Sequence, residues 1–104
     1  MKREDENVYC MKAYYESMAI YDAYRQQGKH PQVVRLKNCK ASTIHCDDYI
    51  LLRSYQTIVA AYDTRYGIMY DFLRYVYGYT ATSARHITKF RELYKPAEFL
   101  RFYP

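Results

Sequence analysis

Six residues of this 104-residue chain have the side chains most suited to chemistry: Cys10, Cys39, Cys46, His30, His45 and His86. Cys39, His45 and Cys46, with His30 or His86 as a fourth ligand, could hold a metal. Zinc sites usually pair their ligands two to four residues apart in recurring patterns. The spacing here matches none of them, so free, buried or half-buried thiols are the expectation. Cys46, His86 and Asp48 could also stand as nucleophile, base and orienter. The chain has no nucleophile elbow, no glycine loop to cradle a phosphate and no metalloprotease helix. The sequence therefore predicts no catalytic residue, no metal and no cofactor. His86 lies beside an apolar helical stripe and His45 lies in a strand before an acidic turn, and both suit a hydrogen bond to a neighbouring loop that fixes packing.

The stronger functional signal is arginine interleaved with tyrosine. Tyrosine supplies fifteen residues and tryptophan none. Arg53, Tyr55, Tyr62, Arg65, Tyr66, Tyr70, Arg74, Tyr75, Tyr77 and Tyr79 alternate through the second half of the chain. Guanidinium groups contact phosphate while aromatic rings stack on unpaired bases. The same two residue types anchor protein interfaces, and some of the tyrosines must be plain core. The expected partner-binding residues are Arg53, Tyr55, Arg65, Tyr66, Arg74, Tyr75 and Tyr77. Arg85 and Lys89, on the outer face of a helix, join them. A formal net charge of +5 from 16 basic and 11 acidic residues admits an acidic protein or nucleic acid as partner.

These residues need elements to hold them. The predicted fold class is α+β in a single domain, 1–104. An N-terminal helix is followed by an antiparallel β-meander of four to five strands, a C-terminal helix packed on the sheet, and a docked tail. Residues 5–27 carry Val8, Met11, Tyr14, Tyr15, Met18 and Tyr21 at helical spacing. Asp5 suits the N-cap, Gly28 the left-handed end, and Pro31 prevents continuation. Residues 33–72 read as strands at 33–37, 43–46, 49–55, 57–62 and 68–72, with turn signals at Asp47-Asp48 and Gly67. In the third strand Tyr49, Leu51 and Arg53 oppose Ile50, Leu52 and Ser54. In the fourth, Ile58, Ala60 and Tyr62 oppose Thr57, Val59 and Ala61. Neither face is plainly polar, so each needs a helix or a second copy of the chain, and a homodimer is the expectation. A second helix over 83–94 is capped by Thr80 or Thr82 and stopped by Pro96. Arg85, Lys89 and Glu92 form its outer face, with Thr88, Arg91 and Lys95 on a second polar flank. The tail, 97–104, is aromatic enough to dock. The opening run Met1–Glu6 is too charged for a secretory signal, and no stretch approaches the length of a membrane span. With an odd number of unpaired cysteines, this predicts a reducing cytoplasm.

Two stretches carry a family resemblance. Leu36-Lys37-Asn38-Cys39-Lys40-Ala41-Ser42-Thr43-Ile44-His45 leads into Tyr49-Ile50-Leu51-Leu52 and Tyr55. Thr80-Ala81-Thr82-Ser83-Ala84-Arg85-His86-Ile87-Thr88-Lys89-Phe90 forms the second. Over residues 34–91 the chain resembles small proteins encoded by phages, plasmids and integrative elements of Gram-positive gut bacteria. In that family an aromatic often stands where Cys39 and Cys46 sit here, which argues against cysteine chemistry. The resemblance transfers no activity residue by residue. It implies a mobile-element role, including anti-CRISPR-type inhibition of a host defence complex. The expected function is thus non-catalytic binding that occludes a host protein or ribonucleoprotein. The alternative is a nucleic-acid-binding accessory protein using the basic Tyr/Arg surface.

Overall fold

In the computed structural model of the chain, residues 3–76 and 80–104 are described. A long helix, α1 (Arg3–Gln26), precedes five consecutive strands. These are β1 (Gln32–Arg35), β2 (Ala41–Cys46), β3 (Tyr49–Ser54), β4 (Thr57–Asp63) and β5 (Ile68–Asp71). A single helical turn, α2 (Leu73–Val76), leads to α3 (Ala81–Tyr94) and a last strand, β6 (Glu98–Arg101). The fold is α+β, as the residue pattern predicts.

The sheet has six strands in the order β1-β2-β3-β4-β5-β6, one more than the upper expectation. The first five form the antiparallel meander, while β6 pairs parallel to β5. Parallel neighbours need a crossover, which helices usually supply. Here α2 and α3 are that crossover, and the aromatic tail docks as their returning strand.

Tight turns set the meander. Asn38, Asp47 and Tyr55 have positive φ between its first strands, and Gly67 sits at φ 67 in the β4–β5 hairpin. Asn and Asp tolerate that conformation because their short side chains hydrogen-bond locally. Tyr55 has no such help. Its N–H is held by Lys40 O at 2.8 Å. Gly28, at φ 69, ends α1, and Lys29 N–H donates back to Tyr24 O at 2.9 Å. The start of α1 differs from expectation. Asp5 lies inside the first turn with Glu4 and Glu6, where its charge faces the helix's positive end, and does not precede the helix as a cap. Thr80 caps α3 by accepting from Ser83 N–H, and Lys95 closes it in the left-handed region just before Pro96.

From β2 to β6 each face of the sheet packs against one of the chain's own helices, while β1 is exposed along its length. Beneath α1 lie Ile44, Cys46, Leu51, Ala61, Tyr70, Phe72 and Leu100. Beneath α3 lie Ala41, Leu52, Val59, Ala60 and Met69, which pack against Ile87 and Phe90 of the helix. Phe72 and Phe90 are fully buried anchors of the two layers, each contributing about 1.5–3 kcal/mol of transfer free energy. Two details depart from simple periodicity. A register shift at Leu52/Arg53 lets Val59 and Ala60 share the α3 layer, so strict alternation in β4 breaks there. And α1 packs through Cys10, Ala13 and Ser17, while Val8 and Tyr15 are 63% and 58% exposed. Small residues let the helix approach closely, which leaves Val8 and Tyr15 of the expected stripe outward while Tyr14, Met18 and Tyr21 still pack on the core.

Candidate binding groove

The expected site residues do not form one surface. Arg53 lies on the α1 face of the sheet, opposite Ser42 and Ile58. Tyr55 is exposed at the β3–β4 turn, its ring tilted against His86. In the β4–β5 hairpin Arg65 clamps the buried Asp63. Its Nε and Nη2 donate to the two carboxylate oxygens at 3.0 and 2.9 Å, and its N–H adds a third bond. Arg65 is thus a structural brace of the hairpin. Tyr66 beside it is 66% exposed. Tyr75 faces the other way. Its hydroxyl bonds the Tyr15 hydroxyl, and its ring packs on Tyr14 and Phe102. Arg85 and Lys89 occupy the flank of α3 toward the β1–β2 hairpin, where Lys89 Nζ donates to Lys37 O. Tyr77 and Tyr79 lie outside the described residues.

The cysteine and histidine combinations are also separated. Cys46 points into the α1 layer, whereas His86 is on the buried side of α3, across the sheet. His45 adjoins Cys46 in β2 and so points to the other face. Burial pushes the Cys10 thiol up to about 12 and Cys46 to about 11, which holds both as poor nucleophiles. Among the described residues no His, Cys, Asp and Glu gather as a metal-binding group.

What the fold does assemble is a groove of about 910 Å³ between α3 and the β5–β6 end of the sheet. Helix α3 lies over β3 and β4, so the sheet beyond them forms the groove floor. Leu73, Ala84, Ile87 and Phe99 supply apolar lining. Four cations surround it: Arg74 from α2, Arg91 and Lys95 at the end of α3, and Arg101 from β6. Arg91 and Arg101 pack their guanidinium groups on the Phe99 ring, at 4.3 and 5.1 Å from its centroid. Such stacking holds a cation without consuming its hydrogen-bond donors. Asp71 and Glu92 are the acids of the lining. Asp71 is partly committed: it accepts from Leu73 N–H at 3.0 Å and faces Arg101 Nε at 3.9 Å. Burial raises its pKa above the ordinary carboxylate value.

Among the described residues, Arg74 alone of the expected binding residues belongs to this groove. Arg91 and Lys95 were legible as a polar flank of the helix, one turn apart. Arg101 and Phe99 lay in the tail, and nothing local marked them as neighbours of α3.

Residues 24–98, well over half of the chain, match the model of a protein family of unknown function, DUF8033. The chain belongs to that family. The match runs from the last turn of α1 to the start of β6, so it includes Arg74, Arg91 and Lys95 and stops before Arg101. No curated protein and no solved structure matches the chain. Among the described residues, no helix is long and apolar enough to cross a membrane.

Proposed function

We propose that this protein is a small non-catalytic binding protein of a mobile genetic element. It works in the cytoplasm of a host bacterium by occluding a surface on a host defence complex such as a CRISPR effector. The groove between α3 and β6 is its contact face. The observation that carries this reading is the convergence of Arg74, Arg91, Lys95 and Arg101 on a groove partly lined by Leu73, Ala84, Ile87 and Phe99. That mixture suits a protein surface that is both acidic and apolar. A nucleic-acid partner is the second reading, favoured by the same four cations. Yet the groove's aromatic, Phe99, already has two guanidinium groups against its ring, which leaves it poorly placed for base stacking. Among the described residues, the interleaved tyrosines are spread over both sides of the sheet, Tyr70 and Tyr75 on one and Tyr62 on the other.

The test is affinity capture from a host lysate, with and without nuclease, using wild type and a double charge reversal, Arg91→Glu with Arg101→Glu. Capture of a defined protein that survives nuclease and is lost in the double variant is the expected result. Nucleic acid recovered alone, and lost with nuclease, would replace this reading with the second. Capture unchanged by the double reversal would remove the groove as the contact face.

A further inference from the structure

Strand β6 is one edge of the sheet, and its backbone can be assigned inner and outer residues. Phe102 N–H donates inward to Asp71 O of β5 at 2.9 Å. Tyr103 N–H instead donates outward, to Asn7 Oδ1 at 2.7 Å, and Asn7 Nδ2 donates to Tyr103 O. The side-chain amide of Asn7 therefore occupies one backbone position along this edge, as a neighbouring strand would. By strand alternation, the N–H and C=O of Phe99 and Arg101 also point outward. Their side chains lie on the α3 face of the sheet and line the groove.

From this juxtaposition we propose that the groove takes an extended peptide segment of a partner protein, added as a seventh strand on β6. This rests on the reading of the groove as a protein-binding face and names the chemistry it selects. A strand beside β6 would satisfy the outward amide and carbonyl groups of Phe99 and Arg101. Every second side chain of the peptide would then face the groove and meet Arg101, with Arg91 and Lys95 from the α3 wall. Those positions call for Asp or Glu, because guanidinium groups bind carboxylates in two-pronged geometry. The intervening side chains would face the α1 side, where Glu4, Asp5 and Glu6 occupy the first turn beside Asn7. Acids are disfavoured there, and apolar or neutral residues fit. The ligand class is thus an extended peptide with carboxylates at alternate positions. A single-stranded polyanion has no such alternation and cannot complete the β-ladder.

The experiment uses the full chain and three probes: a peptide with Glu at every second position and Val or Thr between, a peptide of the same composition with its Glu residues in one block, and single-stranded oligo-dT. Fluorescence anisotropy reads affinity, and amide hydrogen exchange reads the Phe99 and Arg101 N–H groups. The alternating peptide is expected to bind at least about tenfold more tightly than the blocked one, and to slow exchange at Phe99 and Arg101. Arg91→Glu with Arg101→Glu is expected to abolish this, and Arg85→Glu with Lys89→Glu to leave it. Equal affinity for the two peptides, or unprotected amides, overturns strand addition. Preference for oligo-dT overturns the peptide class. If neither peptide binds while the groove still captures a lysate protein, strand addition fails and the broader reading stands.

Discussion

At the residue scale, the most tightly organised polar group lies under α3 rather than in the groove. Ser54 Oγ is 2.7 Å from His86 Nδ1 and 2.9 Å from Ser83 Oγ, and all three residues are buried. The sequence suggests that His86 hydrogen-bonds a neighbouring loop and so fixes its helix against the sheet; the partner is instead Ser54, the last residue of strand β3. Burial, then the nearby Lys89 and Arg85 cations, lower the pKa of His86 from its ordinary 6.5. The unfolded chain consequently holds the proton more tightly than the folded one. This contribution to stability is complete above about pH 6.5 and is lost as pH falls toward the folded pKa. Each unit of pKa difference corresponds to about 1.4 kcal/mol. Asp71 works oppositely in a lower window, since burial raises its pKa from 3.8 and acidification relieves the buried charge. The unfolding midpoint is expected to fall between about pH 7 and pH 5, and His86→Gln should flatten that slope. An unchanged slope in the variant would show that another group controls acid sensitivity.

At the element scale, the tail is the unusual part. Four residues of β6 are bound to β5 on one side, and Asn7 near the start of α1 holds the chain just beyond them. Asn7→Ala removes both of that amide's bonds to Tyr103 and should cost about 1–3 kcal/mol. The Tyr103 amide should exchange faster and the tail should be cut sooner in limited proteolysis, while the sheet remains. Asn7→Asp keeps the acceptor for Tyr103 N–H but loses the donor, so an intermediate effect is expected. Equal tail protection in Asn7→Ala and wild type would mean that packing of Leu100 and Phe102 alone secures the strand. Several element ends were readable because their chemistry is local: Gly28 and Pro96 stop helices, Thr80 is the cap of the two threonines expected, and Gly67 turns a hairpin. The pairing of β6 was not, because a four-residue alternation does not name its neighbour. Periodicity found only the margin of the α1 seam, Tyr14, Met18 and Tyr21, and missed its centre, where Cys10, Ala13 and Ser17 are small and only weakly apolar as a set. The groove was hidden for the same reason as β6. Its cations sit on α2, α3 and β6, and only the crossover between two parallel strands brings them together.

At the scale of the whole molecule, the relevant quantity is how the partner interaction responds to salt. The chain carries a net charge of +5, so any acidic partner is attracted at low ionic strength. Attraction alone does not identify the partner, but its salt dependence does. A protein that neutralises phosphates releases condensed counterions, and for single strands the logarithm of affinity falls with slope of about 0.7 for each phosphate contacted. If Arg74, Arg91, Lys95 and Arg101 all sat on phosphates, the slope would be about −3. A peptide or protein surface has no comparable condensed counterion layer. Raising salt then weakens only the screened, long-range part of the attraction, whose range is already about 10 Å at 0.1 M. The apolar lining at Leu73, Ala84 and Ile87 and the backbone pairing along β6 are not weakened in this way. Affinity for the captured partner is therefore expected to decline gently between about 0.1 and 0.5 M salt, with its association rate falling more than its residence time. A slope near −3 in the same titration would instead place phosphates against all four cations, and the groove would belong to nucleic acid.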